Sequence, residues 1–350
     1  MTALAVPARW AGPTIAGPLG PLLADPEVTD VFVNGIDVWV DRGRGVQRAP
    51  LRMAGADEVR RLAQRLAGTA GRRLDEGCPY VDVPLPDGTR LHAVLPPVAR
   101  GGPYLSLRTF RPSAFTLTEL VAAGSLDATG AQVLAAIVAA RLAYLISGGT
   151  GAGKTTLLSA LLSLVRPGER IVLVEDAAEL RPSHPHVVAL EARVSNVEGA
   201  GAVSVRDLVR QALRMRPDRL VVGECRGAEV VDLLSALNTG HEGGAATVHA
   251  NAAADVPARL EALGLLGGVP REALHAQVTA ALRVLVHVRR ASHGRVVDEV
   301  SVLVPGPPGP RVIAAWRRGV GPGPAADTLA RLLAERDVPV PPGLAAEGAR

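Results

Sequence analysis

Apolar and polar positions follow two different rhythms along the chain. In the first third, short apolar runs are separated by turn residues. Residues 31–33 and 38–40 read as strands, joined by the turn-rich Asn34-Gly35-Ile36-Asp37. Three more strands are expected at 81–85, 91–95 and 104–108, with Pro86-Asp87-Gly88 as a tight turn between the first two. Residues 57–68 carry the spacing of an amphipathic helix. From about residue 131 the pattern changes to strands alternating with helices, which predicts a parallel sheet with crossover helices. Its strands are expected at 142–147, 170–175, 219–223 and 245–249. Residues 254–290 read as mostly helical. A Pro/Gly run at 305–310 precedes a short strand at 311–316 and a last helix at 326–335, and the residues from 338 on read as frayed. The expected organisation is an α/β domain over 1–112, a linker with a hinge helix over 113–130, and a larger α/β domain over 131–350.

Composition narrows this picture. Hydrophobic residues make up 48% and charged residues 21%, which suits a folded soluble protein. Aromatics are only 3%, so the core must be Leu, Val and Ala. Net charge is +4 with acids and bases interleaved, and no basic block carries the interspersed aromatics of a strand-binding groove. The two cysteines, Cys78 and Cys225, form neither a metal-ligand spacing nor a disulfide framework, which points to a reducing compartment. The apolar run 133–145 is broken by Arg141 and is too short for a membrane span. No basic segment followed by an apolar core opens the chain, so no signal peptide is expected.

Of the 38 Lys and Arg residues, only Lys154 is lysine. It lies in Gly148-Gly149-Thr150-Gly151-Ala152-Gly153-Lys154-Thr155, followed by Thr156. This is the G-x-x-x-x-G-K-[ST] pattern of a phosphate-binding loop, set between an apolar strand and a helix as the motif requires. Its glycines let successive N–H groups face an anion, and the helix adds its positive end. Lysine supplies a compact charge where the planar fork of arginine fits badly. A nucleoside triphosphate is the expected ligand.

Such a loop needs acids for Mg²⁺ and water, and a cation for the transition state. Residues 171–176 form an apolar strand ending in Glu175 and Asp176, with Glu179 just beyond. Residues 220–224 form a second, ending in Glu224. In a parallel sheet such ends gather beside the loop. His241 and His249 lie in a glycine-rich run, without the spacing or cysteines of a zinc site.

The phosphate loop, the acidic run 174–180, Arg216-Pro217-Asp218 through Glu224-Cys225-Arg226-Gly227, and Thr239-Gly240-His241 through His249-Ala250-Asn251 together resemble the secretion-ATPase superfamily. That superfamily serves type II secretion, type IV pili and type IV secretion. Residues 28–35, 85–91 and 105–108 resemble its CpaF-type branch, which works in tight-adherence (Tad) pili and includes conjugal transfer-associated members. The resemblance covers about residues 20–300. It implies a PAS-like N-terminal α/β domain and a RecA-like ATPase domain with a largely parallel sheet. It implies ATP and Mg²⁺, with Lys154 on the phosphates and Thr155, Asp176 and Glu224 toward the metal. Glu175 and Glu224 both stand as candidates for the general base. His249 is implied as a γ-phosphate sensor, with His241 beside it. Arg90, Arg108 and Arg111 are implied to face the nucleotide, Arg108 as an arginine finger, and Arg226 to couple strands. A homohexameric ring working on integral-membrane platform proteins at the cytoplasmic face of the inner membrane is implied as well. Cys225 replaces the β-branched residue usual at its position.

Two other classes compete with the motor. A DNA-translocating ATPase is compatible with the arginine content and the parallel sheet, but the paired strand-end acids, the histidine run and the lack of a strand-binding groove argue against a nucleic-acid partner. A nucleotide-gated scaffold is opposed by the intact Lys154, Glu224 and His249.

Overall fold

The computed structural model describes residues 13–43, 45–109, 115–193, 195, 200–292 and 294–344. Contacts divide the chain into two compact units, Met1–Pro112 and Ser113–Arg350.

In the first unit, alternation builds one sheet. Its strands are β1 (Asp30–Asn34), β2 (Asp37–Asp41), β3 (Val46–Arg52), β4 (Tyr80–Pro84), β5 (Arg90–Val94) and β6 (Tyr104–Arg108), in the order β3-β2-β1-β6-β5-β4. All neighbours are antiparallel. Val31, Val33, Val38, Val40, Leu91, Ala93, Leu105 and Leu107 are buried with Val59, Leu62 and Leu66 of the helix Ala56–Thr69. Each fully buried aliphatic side chain contributes about 1.5–3 kcal/mol. β3 does not show in the apolar pattern because Val46–Arg52 is polar and contains Pro50. A proline is tolerated on an edge strand, and β3 is one.

The second unit holds a nine-stranded sheet. Its strands are β7 (Tyr144–Gly148), β8 (Ile171–Glu175), β9 (Val187–Glu191), β10 (Arg219–Cys225), β11 (Ala245–His249), β12 (Val284–Ala291), β13 (Gly294–Val304), β14 (Arg311–Arg317) and β15 (Gly321–Pro322). The order is β15-β14-β13-β12-β7-β11-β10-β8-β9. Strands from β9 through β12 in that order are parallel, and β13, β14 and β15 extend the sheet antiparallel. Helices cover both faces. Leu134, Leu158, Leu161 and Leu329 pack with Ile146 and Leu173 on one face, and Leu233, Leu260 and Leu274 with Leu145 and Val172 on the other. The apolar run 133–145 divides at Arg141, whose φ is 54°, between the helix Ala128–Ala139 and β7. No helix among the described residues is long and apolar enough to cross a membrane.

The stretch expected to stay helical to 290 does not. The helices Val256–Leu266 and Arg271–Ala281 are followed by β12, which pairs parallel with β7. A short buried apolar run has no period that tells strand from helix. β13, β9 and β3 were likewise not expected from the pattern.

At the entering edge of the parallel strands, Arg219 is 2% exposed. Its Nε donates to Glu169 Oε2 at 2.7 Å and its Nη2 to the Val138 carbonyl at 3.0 Å. Arg141 Nη1 donates to the same Glu169 oxygen at 2.8 Å. This network pins β10 and the approach to β8 to the end of the helix Ala128–Ala139, and leaves the opposite edge of the sheet for chemistry.

Candidate functional site at the carboxyl edge of the parallel sheet

β7 ends at Gly148, and the helix Lys154–Leu162 starts directly after the loop. Gly148 has no room for a side chain, because a Cβ there would collide with the Val288 carbonyl of β12. Gly153 has φ 97°, a left-handed turn that delivers Lys154 as the first helical residue. Thr155 and Thr156 complete the first turn. Lys154 is 8% exposed, and its Nζ donates to the carbonyls of Gly148 and Gly149, both at 3.1 Å. Burial pulls the ammonium below its usual pKa, and Glu224, whose Oε1 lies 3.7 Å away, opposes that pull.

Glu224 sits where the β10–β11 register shifts between Val222 and Cys225, a bulge that re-aims its side chain. Glu175 ends β8 and is 3% exposed. Its Oε1 accepts from the backbone N–H of Glu179 at 3.0 Å and of Leu180 at 2.9 Å, folding the acidic segment back over the strand end. Gly223 makes space for it, since a Cβ there would lie 2.8 Å from Glu175 Cγ. Burial pushes the Glu175 carboxyl up to about 7, against those two backbone bonds and helped by the charges of Glu179 and Asp176. Thr155 Oγ1 lies 3.5 Å from Glu179 Oε2.

Asp176, expected toward a metal, is paired with Arg226 Nη1 at 2.5 Å. Arg226 also grips Glu224 through Nε at 2.5 Å, so one guanidinium bridges the ends of β8 and β10. Among the described residues no cluster of three or more His, Cys, Asp or Glu has the arrangement of a metal cage. Mg²⁺ in phosphoryl-transfer sites does not need one, because it takes one or two carboxylates, waters and phosphate oxygens. The Thr155 hydroxyl with Glu224 and Glu179 fits that mode.

The two histidines of the glycine-rich run part company. His249 ends β11 level with Gly148, and its Nδ1 lies 3.5 Å from Thr150 Oγ1. His241 precedes β11, at the strand's other end, where its Nδ1 meets the Ala236 carbonyl at 3.2 Å. The expectation of His241 beside the nucleotide is therefore corrected within the protomer. A five-residue strand spans roughly 16 Å and separates the two rings.

Arg90 and Arg108 lie in the first unit, as direct partners across β5 and β6. Arg90 holds Asp82 with two bonds of 2.8 and 2.9 Å, and Arg108 Nε donates to Asp30 at 3.0 Å. Arg111 lies outside the described residues. Cys225 is 1% exposed, and burial drives its thiol far above the usual range, so it is a small core residue.

Two residues at the loop were not singled out from the sequence. His287 on β12 is buried, and its Nδ1 lies 2.9 Å from Ser147 Oγ, one residue before the loop. Arg295 on β13 donates from Nε to the Gly151 carbonyl at 2.8 Å. Nothing local distinguishes either one, because their partners are more than a hundred residues away in the chain.

Comparison with known proteins agrees with this architecture. The family model described as "Type II/IV secretion system protein" matches residues 15–301. A protein named "Putative conjugal transfer protein" from Mycobacterium tuberculosis is 57% identical over 331 residues, covering 92% of this chain and 94% of that protein. The type IV secretion system protein PtlH of Bordetella pertussis is 33% identical over 314 residues, covering 80% of this chain and 92% of PtlH. Among solved structures, the pilus retraction motor PilT with bound ADP shares the fold at a TM-score of 0.58 and 22% identity, over 82% of each chain. The Legionella pneumophila ATPase DotB does so at 0.58 and 20%, over 81% of this chain and 78% of DotB. A phosphate loop flanked by strand-end acids, on a chain matched by that family model along most of its length, makes this protein a member of the type II/IV secretion system protein family.

Proposed function

We propose that this chain is an ATP-hydrolysing motor for a secretion, pilus-assembly or transfer apparatus. The observation that carries the reading is the meeting of Lys154, Glu224, Glu175, Thr155 and His249 at one edge of a parallel sheet around a glycine loop. Loop N–H groups from Gly149 to Thr155 and the Lys154 ammonium would bind the β- and γ-phosphates of ATP. Thr155 and Glu224 would hold Mg²⁺, which when bound neutralises charge on the phosphates. Glu175 suits the general base, since a carboxyl titrating near neutrality accepts a proton efficiently at working pH. His249, beside Thr150, would report the γ-phosphate. Asp176 then acts through Arg226, keeping the two strand ends together, and Arg108 is proposed to supply transition-state charge. A ring of copies would turn hydrolysis into movement of integral-membrane partners.

A second reading, DNA translocation, comes from the transfer role in the name of the Mycobacterium tuberculosis relative. Charge speaks against it in the first unit, where Arg108, Arg48, Arg52 and Arg90 are each paired with an aspartate of the same sheet. The test is steady-state hydrolysis of Mg-ATP by wild type, Lys154→Ala and Glu224→Gln, with and without single-stranded and duplex DNA, while oligomer mass is followed. Turnover lost in both variants, indifferent to DNA and rising with a six-subunit species, supports the motor. Strong stimulation by DNA replaces it with the translocase.

A further inference from the structure

The hairpin of β12 and β13 touches the phosphate loop and the residue before it at three points. His287 meets Ser147, Val288 lies against Gly148, and Arg295 reaches Gly151. The first two fix the base of the loop to β12. The third is different in kind, because it grips the middle of the loop. Arg295 Nε donates to the Gly151 carbonyl at 2.8 Å, and the arginine stem packs over Gly153, whose added Cβ would lie 3.3 Å from Arg295 Cδ.

We propose that Arg295 is a positioning residue of the nucleotide site, holding the Gly151–Ala152 peptide in the orientation that receives phosphate. The proposal rests on reading 148–155 as a nucleotide loop. In a planar trans peptide the carbonyl and the following N–H point in opposite directions. A carbonyl drawn outward to Arg295 therefore turns the Ala152 N–H inward. That N–H does point across the loop, donating to the Gly149 carbonyl at 3.3 Å. Gly151 has φ 69°, and on that side of the Gly151–Ala152 peptide a glycine imposes little resistance to rotation. The peptide's direction is fixed by the long Gly149 bond on its N–H and by the shorter Arg295 bond on its carbonyl. The hairpin that carries this latch is itself held, since Arg295 pairs with Arg290 in the β12–β13 ladder and Arg289 bonds Asp298 at 2.5 Å.

The test uses the full chain as wild type, Arg295→Ala, Arg295→Lys and Lys154→Ala. Two quantities are read: affinity for a fluorescent ADP analogue, and hydrogen exchange of the peptide covering 148–156 without nucleotide. Losing one charge-assisted bond at an exposed position should weaken ADP binding by roughly five- to tenfold and speed exchange in the loop, with the melting temperature unchanged. Lysine, which can still donate to the carbonyl, should restore most of the affinity. Affinity and exchange equal to wild type in Arg295→Ala overturn the proposal. So does a loss of affinity that comes with a lowered melting temperature and no rescue by lysine. Failure of the underlying reading looks different: wild type itself would bind no ADP, or Lys154→Ala would bind as tightly as wild type.

Discussion

Replacing Glu175 by glutamine should remove a large part of the pH dependence of stability between about pH 5 and pH 8. The carboxyl is 3% exposed and titrates near 7 in the folded chain, against 4.5 for a free glutamate. Between those values the folded state binds the proton and the unfolded state does not. Stability therefore falls as pH rises from about 4.5 to about 7, and above 7 the chain carries the full cost of an ionised buried carboxylate. The gap between 4.5 and about 7 corresponds to about 3 kcal/mol. For a unit of this size that is roughly 6–12 °C in Tm. Glutamine keeps an oxygen for the N–H groups of Glu179 and Leu180 but carries no charge. The variant should match wild type below about pH 4.5 and exceed it by up to about 3 kcal/mol near pH 8. Urea unfolding followed by circular dichroism across that range measures the difference directly, because titrations shared by both proteins cancel. Parallel stability curves would refute the reasoning, since they would mean that Glu175 is ionised throughout. The activity should move the opposite way. If Glu175 is the base, wild-type kcat falls about tenfold per pH unit below 7, and Glu175→Gln loses both rate and that limb of the profile.

Three further outcomes follow from the packing. Arg219→Met strips Glu169 of a buried partner. Burial alone would raise that carboxyl, but bonds from Arg219 and Arg166 hold it below the usual range. Because Arg141 and Arg166 still hold Glu169, the variant should lose about 1.5–3 kcal/mol at neutral pH by urea unfolding. Arg219's contribution is present above the free carboxylate pKa and fades as pH falls through the lowered folded value, so the gap between the variants should narrow in acid. Gly130→Ala should cost about 1–3 kcal/mol in the same assay, because the new methyl would sit 2.7 Å from Trp316 and 2.9 Å from Leu126. A thiol reagent should label Cys78 in the folded protein and leave Cys225 untouched until urea is added, as mass spectrometry would show.

What could be read from residues alone divides along chain distance. The phosphate loop, its strand and its helix are contiguous, so local chemistry announces them. Glu175 and Glu224 are legible because each ends an apolar run, and a parallel sheet collects such ends. His241 misleads because it belongs to the same short run as His249, while the strand between them carries the two to opposite edges. β12 is hidden because Val284–Val288 is buried on both faces and so shows no alternation. Arg295 and His287 are invisible in principle, because their meaning lies in a pairing of β12 with β7 that nothing near them encodes.

The solitary lysine has a practical consequence. Apart from the α-amino group, Lys154 carries the chain's one primary amine, and that amine lies on two loop carbonyls at 8% exposure. An acylating or reductively alkylating reagent is thereby a site-directed probe without any design. Its rate of modification, with and without added nucleotide, would count occupied loops in a mixed assembly. Amine-reactive crosslinkers would find no other side chain to join, so neighbouring copies would have to be linked through carboxylates or introduced cysteines.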